Sequence, residues 1–158
     1  MPVAPIPAGY HSVTPYLIVH DAAGAIEFYR KAFGATEVMR FAMPPGRIGH
    51  AEVRIGDSTV MLADEFPEMG VRGPRTLGGT ASSLAIYVED VDARFAQAVA
   101  AGAKVQRPLK DQFYGDRSGT LTDPFGHVWT IATHKEDVPP DEMRRRSEEY
   151  MKKQASGS

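Results

Sequence analysis

Three ionisable side chains, His50, Glu52 and Arg54, alternate along one short run with Ala51, Val53 and Ile55. In an extended strand this alternation puts the imidazole, carboxylate and guanidinium on one face and the apolar side chains on the other. An imidazole beside a carboxylate makes an acid–base pair. Glu52 would hold the His50 tautomer, and His50 would move a proton near neutral pH. The same run also reads as a solvated face carrying a Glu–Arg pair, and the sequence leaves both readings open. His50 and Glu52 are the catalytic candidates. A second constellation, Gln112-Phe113-Tyr114-Gly115-Asp116-Arg117-Ser118, places an aromatic pair and an arginine on a glycine-containing segment. Phe113 and Arg117 could close over a cleft and clamp an anion there; alternatively Arg117 pairs with Asp116 or Asp123. His127, in an Asp-Pro-Phe-Gly turn, reads as structural. The chain has no cysteine, so a thiolate nucleophile, a disulfide and a cysteine-ligated zinc are excluded. A GxxxxGK phosphate loop, HExxH and GxSxG are also absent.

The elements that would position these residues occur twice. Asp21 opens a stretch ending at Gly34, and Asp90 opens a similar one ending at Gly102. Ile55–Ala63 then matches Pro124–Ala132 at the same offset, which marks two copies of one supersecondary unit. Behind Asp21, the residues Ala22, Ile26, Tyr29 and Phe33 fall on one helical stripe; behind Asp90, the stripe is Val91, Phe95, Ala98 and Val99. Strands are expected at Val13–Val19, Thr36–Ala42, His50–Ile55 and Thr59–Ala63, giving βαβββ. The second copy has them at Ser83–Val88, Lys104–Arg107, Gly119–Thr122 and Val128–Ala132. The chain thus divides into an arm (1–12), a first module (13–64), a Gly/Pro-rich loop (65–82), a second module (83–134) and a tail (135–158). The tail carries a polar helix over Asp141–Lys153 and is expected to end in a disordered Ser156-Gly157-Ser158. Phe33, Phe95 and Trp129 are expected in the core.

Composition narrows the partners. The 158 residues carry 18 Lys+Arg against 20 Asp+Glu, a net charge of −2, which offers nothing to nucleic acid or to an anionic membrane. No apolar run approaches the ~18 residues of a membrane span. The start, MPVAPIPAGYHS, lacks the basic and apolar pattern of a signal peptide, so a cytoplasmic protein is expected.

Pro15–Ala35, His50–Glu65 and Tyr114–His134, the last with Asp123-Pro124-Phe125-Gly126-His127 and Trp129, resemble the vicinal oxygen chelate superfamily. That superfamily includes glyoxalases, extradiol dioxygenases and bleomycin-resistance proteins, and the third segment is similar to its PhnB-like branch. The resemblance implies an α+β fold in which two βαβββ modules form a curved eight-stranded sheet around a cleft, with the helices outside. The cleft side then carries Tyr16, His50, Met61, Tyr87, Thr130 and His134. These, with Phe113 and Arg117, are the expected ligand contacts. The positions that hold a divalent metal in metal-dependent relatives correspond to Thr14, Met61, Ser83 and Thr130. Neutral hydroxyls and a thioether are poor donors for such an ion, so no cofactor is expected, although a displaced metal using His50, Glu52 or His134 stays open. The resemblance leaves two function classes: a metal-free binder of a small organic molecule, or a lyase- or dioxygenase-type enzyme using a displaced metal or a metal-free His50/Glu52 pair. It also implies a homodimer in which modules of different chains could share a cleft.

Overall fold

The computed structural model describes residues 2–157. Met1 of the arm and Ser158 of the tail lie outside them. The two expected helices form and are capped alike. In α1 (Ala22–Phe33) the Asp21 carboxylate accepts the Gly24 N–H at 3.0 Å; in α3 (Val91–Ala101) Asp90 accepts the Ala93 N–H at 3.1 Å. Gly34 closes α1 in the left-handed conformation, φ 67°, where a Cβ would be strained. Ala22, Ile26, Tyr29 and Phe33 are all buried. In α3 the buried stripe is Val91, Phe95 and Ala98, whereas Val99, expected to point inward, is 40% exposed because it lies just beyond the edge of that stripe.

The first module places β1 (Tyr16–Val19), β2 (Thr36–Met43), β3 (Arg47–Ile55) and β4 (Ser58–Asp64) in the order β1-β4-β3-β2, with β1 parallel to β4. The second repeats this with β5 (Ser83–Tyr87), β6 (Lys104–Asp111), β7 (Asp116–Thr122) and β8 (Val128–His134) in the order β5-β8-β7-β6. The fold is α+β with two βαβββ modules, as expected. Within one chain, however, the eight strands make two four-stranded sheets rather than one continuous sheet: β1 and β5 are both edge strands, and neither pairs with the other. The modules meet instead through α1 and α3.

Each sheet packs one face on its helix and leaves the other open. Leu17, Val19, Ala51, Val53, Val60 and Leu62 enter the core from the first sheet; Leu121, Trp129 and Ile131 enter it from the second. The join between modules is polar at its centre. Asp123 is buried, and its Oδ2 accepts the Tyr29 hydroxyl of α1 at 2.6 Å and the Trp129 indole N–H at 2.9 Å. Its Oδ1 accepts the Phe125 and His127 amides, each at 2.9 Å. His127 Nε2–H donates to the Ile18 carbonyl at 2.9 Å, so this histidine pins β1 of the first module to the second.

Between the modules, the expected loop contains a 3₁₀ turn (Pro67–Met69) and the short α2 (Pro74–Leu77), each started by proline and closed by a left-handed glycine, Gly70 and Gly78. The tail helix α4 (Pro140–Ser156) rests on the β6–β7 connection through Tyr150 on Phe113 and Arg146 on the Phe113 carbonyl, and Arg146 also bonds Glu136 in the segment between β8 and α4. Ser156 is helical and Gly157 caps the helix, contrary to the expected disorder. No helix among the described residues is long and apolar enough to cross a membrane.

Trp129 is 1% exposed and packs at a tilt against Tyr29 and Phe33. Trp129→Ala should therefore cost ~3–5 kcal/mol, a fall in Tm of roughly 6–20 °C. Tyr16→Ala, at a side chain 47% exposed, should shift Tm by far less. Differential scanning calorimetry of both variants checks the contrast.

Candidate functional site

On the open face of the first sheet, alternation along β3 puts His50 and Glu52 beside Tyr16 of β1, with Met61 of β4 as the cross-strand neighbour of both Tyr16 and Glu52. The side chains form a chain of hydrogen bonds. The Tyr16 hydroxyl lies 2.8 Å from His50 Nδ1, and His50 Nε2 lies 3.0 Å from Glu52 Oε1. The Tyr10 hydroxyl, from the arm, donates to Glu52 Oε2. Hydrogen bonds from His50 and then Tyr10 hold the Glu52 carboxyl below the ordinary carboxylate range despite its burial. As a carboxylate it only accepts, so His50 Nε2 must carry a proton. In the neutral imidazole Nδ1 is then bare, and the Tyr16 O–H donates to it. The relay has one direction, from Tyr16 through His50 to Glu52. Burial, followed by the Glu52 charge, raises the Tyr16 pKa, so its phenol keeps its proton at neutral pH. Phe41 stands opposite His50 and Met39 opposite Glu52, giving the polar relay an apolar flank.

The open face of the second sheet carries a different cluster. Asp116, only 7% exposed, accepts the Tyr87 hydroxyl at 2.8 Å and faces His134 Nδ1 at 2.8 Å. Asp137 Oδ1 faces His134 Nε2, also at 2.8 Å. With a carboxylate at each nitrogen, Asp116 first and then Asp137, the His134 pKa is raised. Thr130 shares a hydroxyl contact with Thr120 at 3.2 Å. The strand registers show how far the two halves have diverged. Where the first module has Tyr16 against Met61 and Glu52 against Met61, the second has Ala85 against Thr130 and Thr120 against Thr130. His50 likewise corresponds to Ser118.

The expected contacts thus divide between two faces: Tyr16, His50 and Met61 on one, Tyr87, Thr130 and His134 on the other. Phe113 and Arg117 do not close over either, and their expected clamp is corrected. Asp116 and Ser118 face outward with Tyr87, so Arg117 between them must point to the helix side. There it bonds Asp92 at the start of α3 and also reaches Asp111, while Phe113 packs on Tyr114 and Tyr150. A cleft of about 960 Å³ does lie between the modules, lined by Thr14, the β3–β4 turn, β5 from Leu84 onward, and Trp129. Of the expected ligand contacts it includes only Tyr87. Sequence reasoning overlooked Tyr10, Asp116 and Asp137. Extending the β7 alternation back from Thr120 and Ser118 would have found Asp116, whereas nothing local marks Tyr10.

The positions usual for a divalent metal do not fit one. Thr14 precedes β1, and Met61, Ser83 and Thr130 add a thioether and hydroxyls, with no carboxylate or imidazole among the four. Among the described residues, no group of three or more His, Asp or Glu side chains is arranged to hold an ion.

This fold is shared with known proteins. Residues 9–131 match the family model described as Glyoxalase/Bleomycin resistance protein/Dioxygenase superfamily. The chain belongs to that superfamily. An uncharacterized protein of Mycobacterium tuberculosis is 46% identical over 136 residues, 84% of this chain and 80% of the relative. The crystal structure of TioX from Micromonospora sp. ML1 superposes with a TM-score of 0.63 at 28% identity, covering 78% of this chain and 98% of that one. A PhnB protein from Bacillus cereus shares the fold with a TM-score of 0.60 at 21% identity, covering 78% and 99% of the two chains.

The His134 contacts have a pH signature. Its imidazole NMR signals should titrate above the ordinary ~6.5, and Asp137→Asn should bring the midpoint down. Because the folded pKa is the raised one, the pairing stabilises the fold fully below ~6.5 and is lost as pH rises through the raised value. A midpoint unmoved by Asp137→Asn would contradict the two-sided contact.

Proposed function

We propose that this superfamily member binds a small organic molecule on its open sheet faces, with no divalent metal at the usual positions and with the cytoplasm as its compartment. The observation that carries this reading is the Tyr16–His50–Glu52 relay. It exposes a phenol and an imidazole beside Met61 and Phe41, an arrangement suited to a planar, partly apolar ligand with one or two polar groups. The donor set at Thr14, Met61, Ser83 and Thr130 supports the metal-free part.

The direction of the relay favours one further reading, a metal-free enzyme. A ligand proton removed by the Tyr16 oxygen, with the phenolic proton passing to His50 Nδ1, leaves an imidazolium paired with Glu52, which is the arrangement general base catalysis requires. A displaced metal at His50, Glu52 or His134 has less behind it: the first two belong to the first sheet, and His134 is held by Asp116 and Asp137 on the second.

The working unit we propose is a homodimer. Within one chain the open faces belong to separate sheets whose edge strands β1 and β5 are unpaired with each other. Such edges favour pairing with another chain, and a second copy would bring an open face of the first kind beside one of the second. Light scattering should give twice the chain mass at micromolar concentration; a monomer would count against the shared cleft.

Titration of planar organic molecules, followed by NMR, tests the binding itself. Tyr16→Ala and His50→Ala should each weaken a ligand found in that way by about tenfold or more, or 1.4 kcal/mol per decade, with Tm little changed. Elemental analysis of untagged protein checks the metal: stoichiometric Ni, Zn, Fe or Mn would overturn the metal-free reading.

A further inference from the structure

The arm does not hang free. Residues 2–12 contain no helix or strand, and none of them enters the hydrophobic core, yet the segment around Tyr10 is fastened across the open face of the first sheet. The Gly9 carbonyl accepts the Thr59 hydroxyl at 3.0 Å and the Arg54 guanidinium at 3.5 Å. Gly9 turns with φ 84°, and an added Cβ there would collide with that guanidinium. This turn delivers the Tyr10 ring to Glu52, where its hydroxyl donates to Oε2.

We propose that the Tyr10 phenol occupies a ligand subsite, so that the arm is a displaceable strap and the ligand that replaces it presents a phenolic hydroxyl to Glu52. The inference rests on the small-molecule reading above and names the ligand's chemistry. Glu52 is only 8% exposed, and its other oxygen is committed to His50. A carboxylate so placed needs a donor on Oε2. An incoming group that only accepts, such as an ether, a ketone or an anion, leaves a buried charged oxygen unpaired, which is costly. An aromatic hydroxyl reproduces the bond that Tyr10 already makes. Its ring would enter beside Tyr16 and His50, whose rings are tilted against each other with centroids 5.4 Å apart. Displacement is feasible because the strap is held by a few hydrogen bonds rather than by buried apolar surface, which places it at the low end of local stability.

Complementation in the full chain tests this. Tyr10→Gly vacates the subsite, and p-cresol, the tyrosine side chain without its backbone, should bind the variant saturably and shift the His50 and Tyr16 NMR signals. 4-Methylanisole, in which a methyl group replaces the donated hydrogen, should bind about tenfold more weakly or worse. Tyr10→Phe, which keeps the ring in place, should show no such shift over the same concentrations. On the unaltered protein, p-cresol at high concentration should speed amide exchange at Gly9–His11, and 4-methylanisole should not; this holds even if Tyr10→Gly folds poorly. Equal binding of the two probes, or His50 signals unmoved by p-cresol in folded Tyr10→Gly together with unchanged exchange at the arm, overturns the proposal. If wild type nevertheless binds other planar ligands through Tyr16 and His50, the strap inference alone falls and the binding reading stands.

Discussion

One buried carboxylate decides how the two halves of this chain sit together. Asp123 has four donors, two on each oxygen, and one of them, the Tyr29 hydroxyl, comes from the other module. A charge in the core is tolerable only when its lone pairs are filled, so Tyr29 and the Asp123 turn cannot separate without stranding it. Burial, then the Asp123 charge, drives the Tyr29 pKa far up, which keeps the phenol a donor at any physiological pH. Tyr29, Phe33, Phe125 and Trp129 close round this centre, and Gln97 of α3 bonds the Lys31 carbonyl of α1 at 2.6 Å. The modules therefore join helix side to helix side, with His127 also tying the β1 edge to the second module.

Strand alternation then does most of the work at the site. Once Ala51, Val53 and Ile55 are committed to the core, His50 and Glu52 have no choice of face. The parallel register of β1 with β4, which sets Tyr16 against Met61, brings the phenol within reach of the imidazole. The electrostatics follow from that geometry: a carboxylate backed by two donors fixes the tautomer, and the tautomer fixes which atom of His50 meets Tyr16. The arm adds a second constraint, because it covers Glu52 and Thr59 but leaves Tyr16 open.

Much of this was legible in the chain. The duplication, both helices, their aspartate caps and the face of β3 follow from local signals with a single physical meaning. The strand ends were less so. Val13 and Thr14 look extended, but Pro15 has no N–H to give a ladder, and pairing begins at Tyr16. β6 runs on past its expected end to Asp111 because Pro108 is tolerated on an edge strand, near a shift of register. β7 starts early, at Asp116, where Gly115 had suggested a loop. Tyr10 and Asp137, the site residues that no local pattern marks, lie outside the strands. Tyr10 reaches Glu52, and Asp137 reaches His134, through turns whose direction no periodicity encodes. Arg117 points to the helix side because β7 begins at Asp116, three residues before the expected Gly119, and this fixes its parity.

Duplication would give a symmetric receptor if both copies had kept the same side chains. They have not. Backbone positions that hold Tyr16, His50 and Glu52 in one half hold Ala85, Ser118 and Thr120 in the other, and the second face carries its ionisable groups, Asp116 and His134, at other positions, so the two surfaces do not match. A small molecule bound as proposed, between such unlike walls, could not be turned end for end without loss. The difference between the repeats would give the proposed site a sense of direction, a head and a tail, that two identical halves could not provide.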